Sequence, residues 1–332
     1  MPTSGGFRVA DAHNDLLLAV EHQRRRGYSD PFGDFWLPQL REGNVALQVL
    51  PVYTEEEFAG SDALRRAMVI LETARWMAEL HPSDVAIAET GKEIEAISGA
   101  GRIALVLALE GGEPFGSDLG LIDGFARLGV RIASMTWNRR TMLADGVGER
   151  ATGGGLTRLG RLAVEEFERC GIVVDISHLS DAGVRDVLAT ATEPVMATHS
   201  SCRALCAHPR NLTDTQIAQV AGSGGIVCVN AFGGFLGDRP SIARYVDHIK
   251  HAVAMAGPDA VGLGADFIDD LLPILDPILQ GALVDEMPVI PDLRSARDYP
   301  AVAEVLTHRL GESITARVMS ENLIRFLVDL LP

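Results

Sequence analysis

The chain has 332 residues, 47% of them apolar, and carries a formal net charge of −16 with four cysteines. The acidic balance argues against nucleic acid or an anionic membrane surface as a partner, because both select basic faces. No apolar run approaches the ~20 residues that a membrane span needs, and no basic region followed by an apolar stretch opens the chain, so we expect a soluble, cytoplasmic protein with free thiols.

Short apolar or β-branched runs alternate with longer amphipathic segments along the whole chain, which is typical of a parallel sheet with crossover helices. In chain order, the eight predicted strands are "FRVADA", "VALQVLPV", "RIALVLAL", "VRIASMT", "GIVVDIS", "PVMATH", "GIVCVNAF" and "AVGLGADF". Ser61 is expected to cap a helix that runs to Leu80, and Gly171 to end the helix of "LTRLGRLAVEEFERCG". Eight strands with eight crossovers predict an α/β fold, a single-domain (β/α)8 TIM-type barrel over residues 1–332.

The segment 269–300 follows the last predicted strand and is rich in proline and leucine. A long connection at this place is typical of a lid over an active site or of an interface with another subunit. We expect one of these two roles for residues 269–300, and we leave open whether the protein is a homodimer.

Polar and titratable residues follow almost every predicted strand, at the barrel end where active sites of this fold lie. They are His13 and Asp15 after the first run, Glu110 after the third, Trp137 and Asn138 after the fourth, His178 after the fifth, His199 after the sixth, Asn230 after the seventh and Asp266 after the eighth. If the barrel closes, three histidines and three carboxylates meet at one mouth.

These residue types in this pattern point to a binuclear metal site. Glu110 is the candidate for a carboxylate that bridges two ions, with His13 and Asp15 on one ion and His178 and His199 on the other. Neutral imidazole and carboxylate suit zinc or another first-row divalent ion. A water shared by two such ions has a lowered pKa and serves as a hydroxide nucleophile at neutral pH.

Each of these residues also has a simpler interpretation when it is taken alone. A His-x-Asp pair is often only a capped strand end, a single glutamate a helix-terminus carboxylate, and a single histidine a hydrogen-bonded core residue. Only their coincidence at the strand ends of one barrel favours the metal site. For most of the remaining histidines we expect solvated positions.

The order and spacing of several motifs resemble the renal or membrane dipeptidase family, zinc peptidases of the amidohydrolase superfamily. The motifs are "DAHNDL", "LALEGGEPFGSDLGLIDGFARLGVR", "VVDISHLS", "MATHSSCRALCAHPRNLTD", "VGLGADF" and "SENLIRFL", and they cover nearly the whole chain. The resemblance implies a (β/α)8 barrel with two zinc ions, and it implies the same five ligands: His13, Asp15, Glu110, His178 and His199. It also implies that Asp266 takes the proton of the attacking water and passes it to the departing amine, and that Arg210 binds the terminal carboxylate of a dipeptide.

Two positions depart from the family pattern. Trp137 stands where the best-known members have a histidine that helps to stabilise the oxyanion. Its indole ring has one hydrogen-bond donor and cannot become protonated as a histidine can. Glu113 follows "EGG" where a histidine is common. We expect Trp137, Asn138 and Asn230 to line the substrate site.

The sequence therefore favours a metal-dependent dipeptidase that cleaves small dipeptides, including those with a D-residue on the C-terminal side. Two alternatives remain open: a metal-dependent hydrolase of another small amide or lactam, and a catalytically inactive barrel that binds a ligand or partner. The presence of every proposed ligand together with Asp266 argues against the inactive barrel.

Overall fold

The computed structural model of the protein describes residues 6–269, 271 and 290–332. Its strands are β1 (Val9–Asp11), β2 (Val45–Tyr53), β3 (Val85–Ile87), β4 (Ile103–Glu110), β5 (Val130–Ser134), β6 (Val173–Asp175), β7 (Met196–Ala197), β8 (Ile226–Val229) and β9 (Val261–Leu263). All of the strand pairings are parallel. The strand order is β2-β1-β9-β8-β7-β6-β5-β4-β3, and β2 also pairs with β4, which closes the sheet. The predicted (β/α)8 barrel is confirmed.

The ninth strand, β3, is absent from the eight predicted runs. It pairs only with the start of β4, from Ile103 to Leu105, while β5 pairs with the later residues of β4. A run of three residues carries too little periodic signal to be recognised in the sequence. Since β3 lies outside the closed ring, the ring itself consists of eight strands.

Several predicted runs are longer than the strands that form. The run "PVMATH" contributes only Met196–Ala197, and "AVGLGADF" only Val261–Leu263. In both cases the ladder ends just before the residues that face the barrel mouth, because the backbone leaves the sheet there.

The barrel interior and the layer beneath the helices form two separate hydrophobic clusters. Along β4, Ala104, Val106 and Ala108 belong to the interior cluster. Ile103, Leu105, Leu107 and Leu109 belong to the outer one. Because side chains alternate along a strand, Glu110 at the end of β4 shares the inward face.

Helices surround this ring. The described α-helices are Leu16–Arg25, Leu37–Glu42, Ala63–Leu80, Gly91–Gly99, Gly120–Arg127, Arg158–Arg169, Asp181–Thr190, Asp214–Gly222, Gly233–Leu236, Ile242–Ala256, Tyr299–Leu310, Glu312–Ala316 and Asn322–Leu330. Short 3-10 segments lie at Glu56–Phe58, Glu113–Phe115, Val147–Thr152 and Ala296–Asp298, and π turns at Phe32–Trp36 and Arg317–Glu321. The last helix contributes Leu323, Phe326 and Leu327 to the interior cluster.

Two predicted helix boundaries have different outcomes. The helix predicted to end at Gly171 runs Arg158–Arg169, and Gly171 follows it with a φ of 67° that favours glycine. The predicted cap at Ser61 is wrong: the helix begins at Ala63 behind Asp62, without a side-chain hydrogen bond at the cap.

No helix in the described part of the chain is long and apolar enough to cross a bilayer. Most of the segment predicted as a lid or interface, residues 270 and 272–289, lies outside the described residues, so that role stays a prediction. At the described flanks, the Arg294 guanidinium contacts the Asp269 carboxylate at 2.5 Å, and the next helix begins at Tyr299.

Candidate metal centre and active site

The predicted residues meet at the carboxyl ends of the strands. Glu110 is the last residue of β4, and the others follow their strands within a few residues: His13 and Asp15 after β1, His178 after β6, His199 after β7 and Asp266 after β9. All except Asp15 and Asp266 are buried, and the side chains of those two are only 14% exposed. Barrel closure thus brings together side chains from five strands.

One half of the site surrounds His13. Its Nε2 lies 3.7 Å from a carboxylate oxygen of Asp15, 3.7 Å from one of Glu110 and 3.9 Å from one of Asp266. This Nε2 is buried and has no hydrogen-bond partner among the described residues. A ring nitrogen facing three carboxylates at these distances is arranged for a cation between them.

The other half consists of two histidines beside the same Glu110 oxygen. His178 Nε2 lies 2.9 Å and His199 Nε2 3.5 Å from Glu110 Oε1. The two Nε2 atoms are 2.7 Å apart. The same oxygen lies 3.7 Å from His13 Nε2, so Glu110 is adjacent to both halves, as a bridging carboxylate must be.

Hydrogen bonds on the far side of these two rings determine which nitrogen carries the proton. His178 Nδ1 lies 2.8 Å from Asn138 Oδ1, and His199 Nδ1 lies 2.8 Å from Thr198 Oγ1. With Nδ1 donating in both rings, two unprotonated Nε2 atoms face each other, a contact that a bound cation would stabilise. These residues therefore fit divalent metal ions.

The clustered carboxylates change each other's protonation. Burial alone lowers the pKa of His13, but the charges of Glu110, Asp15 and Asp266 outweigh it and raise the pKa to about 10. Burial raises the pKa of Glu110 well above its usual range and the pKa of Asp266 to about 6. In the metal-free protein, then, the excess of buried negative charge attracts protons, and divalent cations would compete with them.

The pKa values of the other two histidines of the site shift in the opposite direction from that of His13. Burial, together with repulsion from the charges of Arg210 and His13, lowers the pKa of His178 and of His199 well below the usual value. Neutral imidazole is the protonation state that binds a metal ion.

Backbone strain marks two of these positions. His178 has a φ of 69° and Asp266 a φ of 58°, in the left-handed region that non-glycine residues seldom adopt. Such conformations persist only where surrounding contacts impose them, and they concentrate at functional sites.

Arg210 reaches the same place from the loop between β7 and the helix Asp214–Gly222. Its Nη2 lies 3.1 Å from His178 Nε2 and donates to the backbone oxygen of His199 at 3.2 Å. The side chain is buried, its Nε has no hydrogen-bond partner among the described residues, and burial lowers its pKa to about 10. A guanidinium with an unused donor at the site can bind a planar anion.

The two asparagines predicted to line the substrate site contact other predicted site residues. Asn138 hydrogen-bonds His178, as described above, and Asn230 Nδ2 donates to Asp266 Oδ2 at 2.9 Å. Both side chains therefore orient other site residues, while contact with substrate stays a prediction.

Trp137 forms part of an aromatic wall beside His178. Its ring lies 5.6 Å from the His178 ring and 5.4 Å from the ring of Tyr53. Tyr53 pairs in register with Glu110 and was missed in the sequence, because the second predicted run stops one residue before it. Leu47 and Val49 of the same strand belong to the interior cluster, so the alternation of side chains along a strand places Tyr53 on the inward face.

Glu113, the second departure from the family pattern, takes part in a clamp around Arg139. Arg139 pairs with Glu113 and with Glu56, each at 2.6 Å, and donates to the backbone oxygen of Thr54. One guanidinium thus joins the loops that follow β2, β4 and β5.

The chain is similar along nearly its whole length to proteins of a known family. The family described as Membrane dipeptidase (Peptidase family M19) matches residues 5–329. The chain is 30% identical to Dipeptidase aclJ of Aspergillus oryzae over 280 residues, 78% of this chain and 66% of that protein. It is 27% identical to Dipeptidase 3 of Rattus norvegicus over 334 residues, 96% of this chain and 64% of that protein. This chain thus spans slightly less than two thirds of the length of these curated relatives.

A solved structure extends the likeness to the whole fold. The metallopeptidase from Rhodobacter sphaeroides, liganded with a phosphinate mimic of the dipeptide L-Ala-D-Ala, superimposes with a TM-score of 0.86 at 26% sequence identity. The match covers 99% of this chain and 100% of that one.

Proposed function

Because this chain belongs to the membrane dipeptidase family, peptidase family M19, we propose that it is a metal-dependent dipeptidase. The observation that carries the proposal is the convergence of two buried histidine sets on one central carboxylate, Glu110, with Asp266 beside them. A barrel that only bound a ligand would have no need for this costly group of buried charges.

We propose that His13 and Asp15 hold one divalent ion, His178 and His199 a second, and Glu110 both. Histidine nitrogen and carboxylate oxygen favour zinc among the common divalent ions. Such ions supply acidified water as a nucleophile and polarise the carbonyl to be attacked.

Asp266 is the proton carrier in this proposal. Its carboxylate accepts the proton of the attacking water and then delivers it to the nitrogen of the departing amine. The hydrogen bond from Asn230 Nδ2 to Oδ2 leaves Oδ1 directed to the His13 side of the site.

Arg210 is the carboxylate-binding residue in this proposal and would favour free dipeptides over their amides. Its buried guanidinium lies beside the histidine pair, so a substrate carboxylate bound there places the adjacent peptide bond near Glu110 and Asp266. The L-Ala-D-Ala mimic bound by the Rhodobacter relative supports small dipeptides with a C-terminal D-residue as the substrate class.

The test is a kinetic panel of L,L and L,D dipeptides with their C-terminal amides, using protein treated with a chelator and then reloaded with zinc. We expect hydrolysis of the free acids, poor hydrolysis of the amides, and no activity before reloading. Equal rates on acids and amides would point to the other enzymatic candidate, a hydrolase of a different small amide or lactam. A metal-loaded protein without hydrolytic activity on either would point to the inactive barrel.

A further inference from the structure

Two buried aspartates lie directly beneath the candidate metal ligands. Asp11 is the last residue of β1 and is fully buried; Asp175 is the last residue of β6 and is 4% exposed. Neither is among the predicted site residues. A buried carboxylate is costly unless its hydrogen bonds are satisfied, so the partners of each indicate what it does.

Asp11 connects the ends of β1 and β9. Its Oδ1 accepts from the backbone N–H of His13 and from that of Ala265, each at 3.1 Å. Ala265 directly precedes Asp266, whose own N–H donates to the backbone oxygen of His13 at 3.1 Å. The carboxylate thus ties a metal ligand to the proposed proton carrier across 254 residues of sequence.

Asp175 makes the same connection between β6 and β7. Its Oδ1 accepts from the backbone N–H of Ser177 at 2.9 Å and from that of Thr198 at 3.0 Å. These two residues directly precede His178 and His199. The pattern repeats that of Asp11: one amide two residues ahead, and one amide on the neighbouring strand.

The repeated geometry has a common cause in the sheet. Asp11, at the end of β1, pairs with Leu263, and Asp175, at the end of β6, pairs with Met196. The next amides, those of Ala12 and Ile176, still donate to the backbone oxygens of Leu263 and Met196 at 2.8 Å. The strands then separate, and the amides that follow donate to the two carboxylates rather than to a backbone oxygen. The two carboxylates supply those acceptors and so hold the diverging backbones in one arrangement.

Asp175 also contacts the side chain of the residue that precedes a ligand histidine. The Thr198 hydroxyl donates to Asp175 Oδ2 at 2.6 Å, and Thr198 Oγ1 lies 2.8 Å from His199 Nδ1. Since the hydroxyl proton goes to the carboxylate, the proton on the second contact belongs to His199 Nδ1. The chain of hydrogen bonds therefore leaves Nε2 of His199 unprotonated.

We propose that Asp11 and Asp175 are positioning residues, each of which sets one half of the metal centre: Asp11 the half with His13 and Asp15, Asp175 the half with His178 and His199. This inference rests on the proposed function, because it assigns two partners to the metal centre of that proposal. Residues behind metal-ligating histidines typically change metal affinity by roughly 10–100-fold when they are removed.

The first experiment measures metal affinity, by competition with a chelator, in Asp175→Ala, Asp11→Ala and Thr198→Val. We expect each variant to bind one of the two ions roughly 10–100-fold more weakly and the other as the wild type does. Asp145→Asn is the matched control, because Asp145 is a buried carboxylate whose side-chain partners are Arg140 and Thr152 rather than strand-end amides. It should keep both ions.

A second set of variants identifies which ion is affected. In a His178→Ala/His199→Ala background, which removes both histidine ligands of the second ion, Asp175→Ala should cause no further loss of metal. Asp11→Ala in that background should weaken the remaining ion as well. The opposite assignment, or loss of both ions from each single variant, would overturn the proposal.

Conservative variants keep the test decisive if the alanine variants fail to fold. An asparagine at either position retains the oxygen that accepts the two amides. In Asp175→Asn, however, the new amide nitrogen donates a hydrogen bond to the Thr198 hydroxyl oxygen. The Thr198 hydroxyl must then donate to His199 Nδ1, which moves the ring proton of His199 to Nε2. We expect Asp175→Asn to weaken one ion and Asp11→Asn to bind both normally; equal effects would contradict the proposed chain.

The outcomes separate this inference from the proposed function. Wild-type protein that binds no divalent ion and cleaves no dipeptide would refute the function itself. Wild-type protein that binds two ions and cleaves dipeptides, while all the variants keep wild-type metal affinity, would refute only the role of Asp11 and Asp175.

Discussion

Asp266 and Arg210 act at the scale of single side chains, and both depend on burial for their chemistry. Asp266 is held in a left-handed backbone conformation with one oxygen bound by Asn230 and the other facing His13. Arg210 is a buried cation whose Nε has no hydrogen-bond partner among the described residues. For each of them, a neutral residue of similar size removes the chemistry while preserving most of the packing.

Asp266→Asn is expected to retain metal ions and fold but to lose turnover by roughly 10²–10⁴-fold, because an amide cannot carry the proton. The measurement is kcat on a cleaved dipeptide together with elemental analysis. Asp259→Asn, which changes an exposed carboxylate paired with Arg317, should leave kcat unchanged. Near-wild-type turnover in Asp266→Asn would assign the proton transfer to another group.

Arg210→Met is expected to abolish the preference for free dipeptides over their amides. Loss of a charged, paired hydrogen bond costs roughly 1.5–3 kcal/mol, which corresponds to about 10–150-fold in kcat/KM. Arg210→Lys keeps the charge without the planar guanidinium, so its preference for free dipeptides should lie between those of the wild type and Arg210→Met. A preference that survives in Arg210→Met would place the carboxylate elsewhere.

At the scale of elements, the loops after the strands are held by a few buried polar contacts. Arg139 joins the loops that follow β2, β4 and β5, and so supports the wall made by Tyr53 and Trp137. On another side, the helix Ile242–Ala256 places His248 under the loop that carries Arg210.

Arg139→Met should lower the free energy of unfolding by about 2–3 kcal/mol, because it leaves the buried carboxylate of Glu113 without its partner. Glu56 is 55% exposed, so Glu56→Gln should cost less than ~1 kcal/mol. Urea unfolding checks both. The double variant Arg139→Met/Glu113→Gln should recover part of the loss; no recovery would mean that the ion pair is not the cause.

His248 predicts a stability change with pH. The solvated position expected for most remaining histidines is wrong for this one: it is fully buried, its Nδ1 accepts from the backbone N–H of Cys202 at 3.1 Å, and burial lowers its pKa to about 4. The unfolded state takes up a proton near pH 6.5 and the folded state does not until about pH 4, so stability is lost as the pH falls through this window.

The expected loss from His248 is about 2 kcal/mol between pH 7.5 and pH 4.5. Unfolding free energies of metal-free wild type and His248→Gln at these two pH values measure it. We expect His248→Gln to be less stable than the wild type at pH 7.5. The difference in unfolding free energy between the two proteins should be smaller by about 2 kcal/mol at pH 4.5. A gap that does not change with pH would show that His248 does not titrate in this range.

At the scale of the whole molecule, closure of the sheet through the β2–β4 pairing creates the site. The central carboxylate, Glu110, is the last residue of β4 and pairs in register with Tyr53 of β2. The residue proposed to bridge the two metal ions therefore belongs to the strand pair that closes the barrel. Bound ions at this point would connect ligands from several strands and stabilise the closed barrel.

Metal loading is therefore expected to stabilise the fold, by about 2.7 kcal/mol for one site at a free ion concentration 100-fold above its Kd. Elemental analysis should give about two divalent ions per chain, and thermal unfolding should shift upward on reloading. Glu110→Gln should reduce the occupancy of both positions, because one carboxylate serves both. A variant that loses only one ion would exclude the bridge.

The sequence by itself determined the barrel, the identity of the candidate ligands and their order along the chain. Apolar runs such as "RIALVLAL" are buried on both faces, and only a parallel sheet covered by helices accommodates a series of them, so the fold follows from pattern. The position of His13, His178 and Asp266 after such runs then places them at the mouth. The family motifs pointed to the same chemistry.

Only the tertiary structure decided how these side chains are held. The contacts of Asn138 with His178, of Arg139 with Glu113 and of Asp11 with Ala265 join residues from separate strand ends, in the last case 254 positions apart. No local pattern encodes such pairs, because strand register and the closing of the ring determine which loops become neighbours. The same closure buries Asp11 and Asp175 beneath the ligands, where a carboxylate becomes the acceptor for amides that the ending strands leave unpaired.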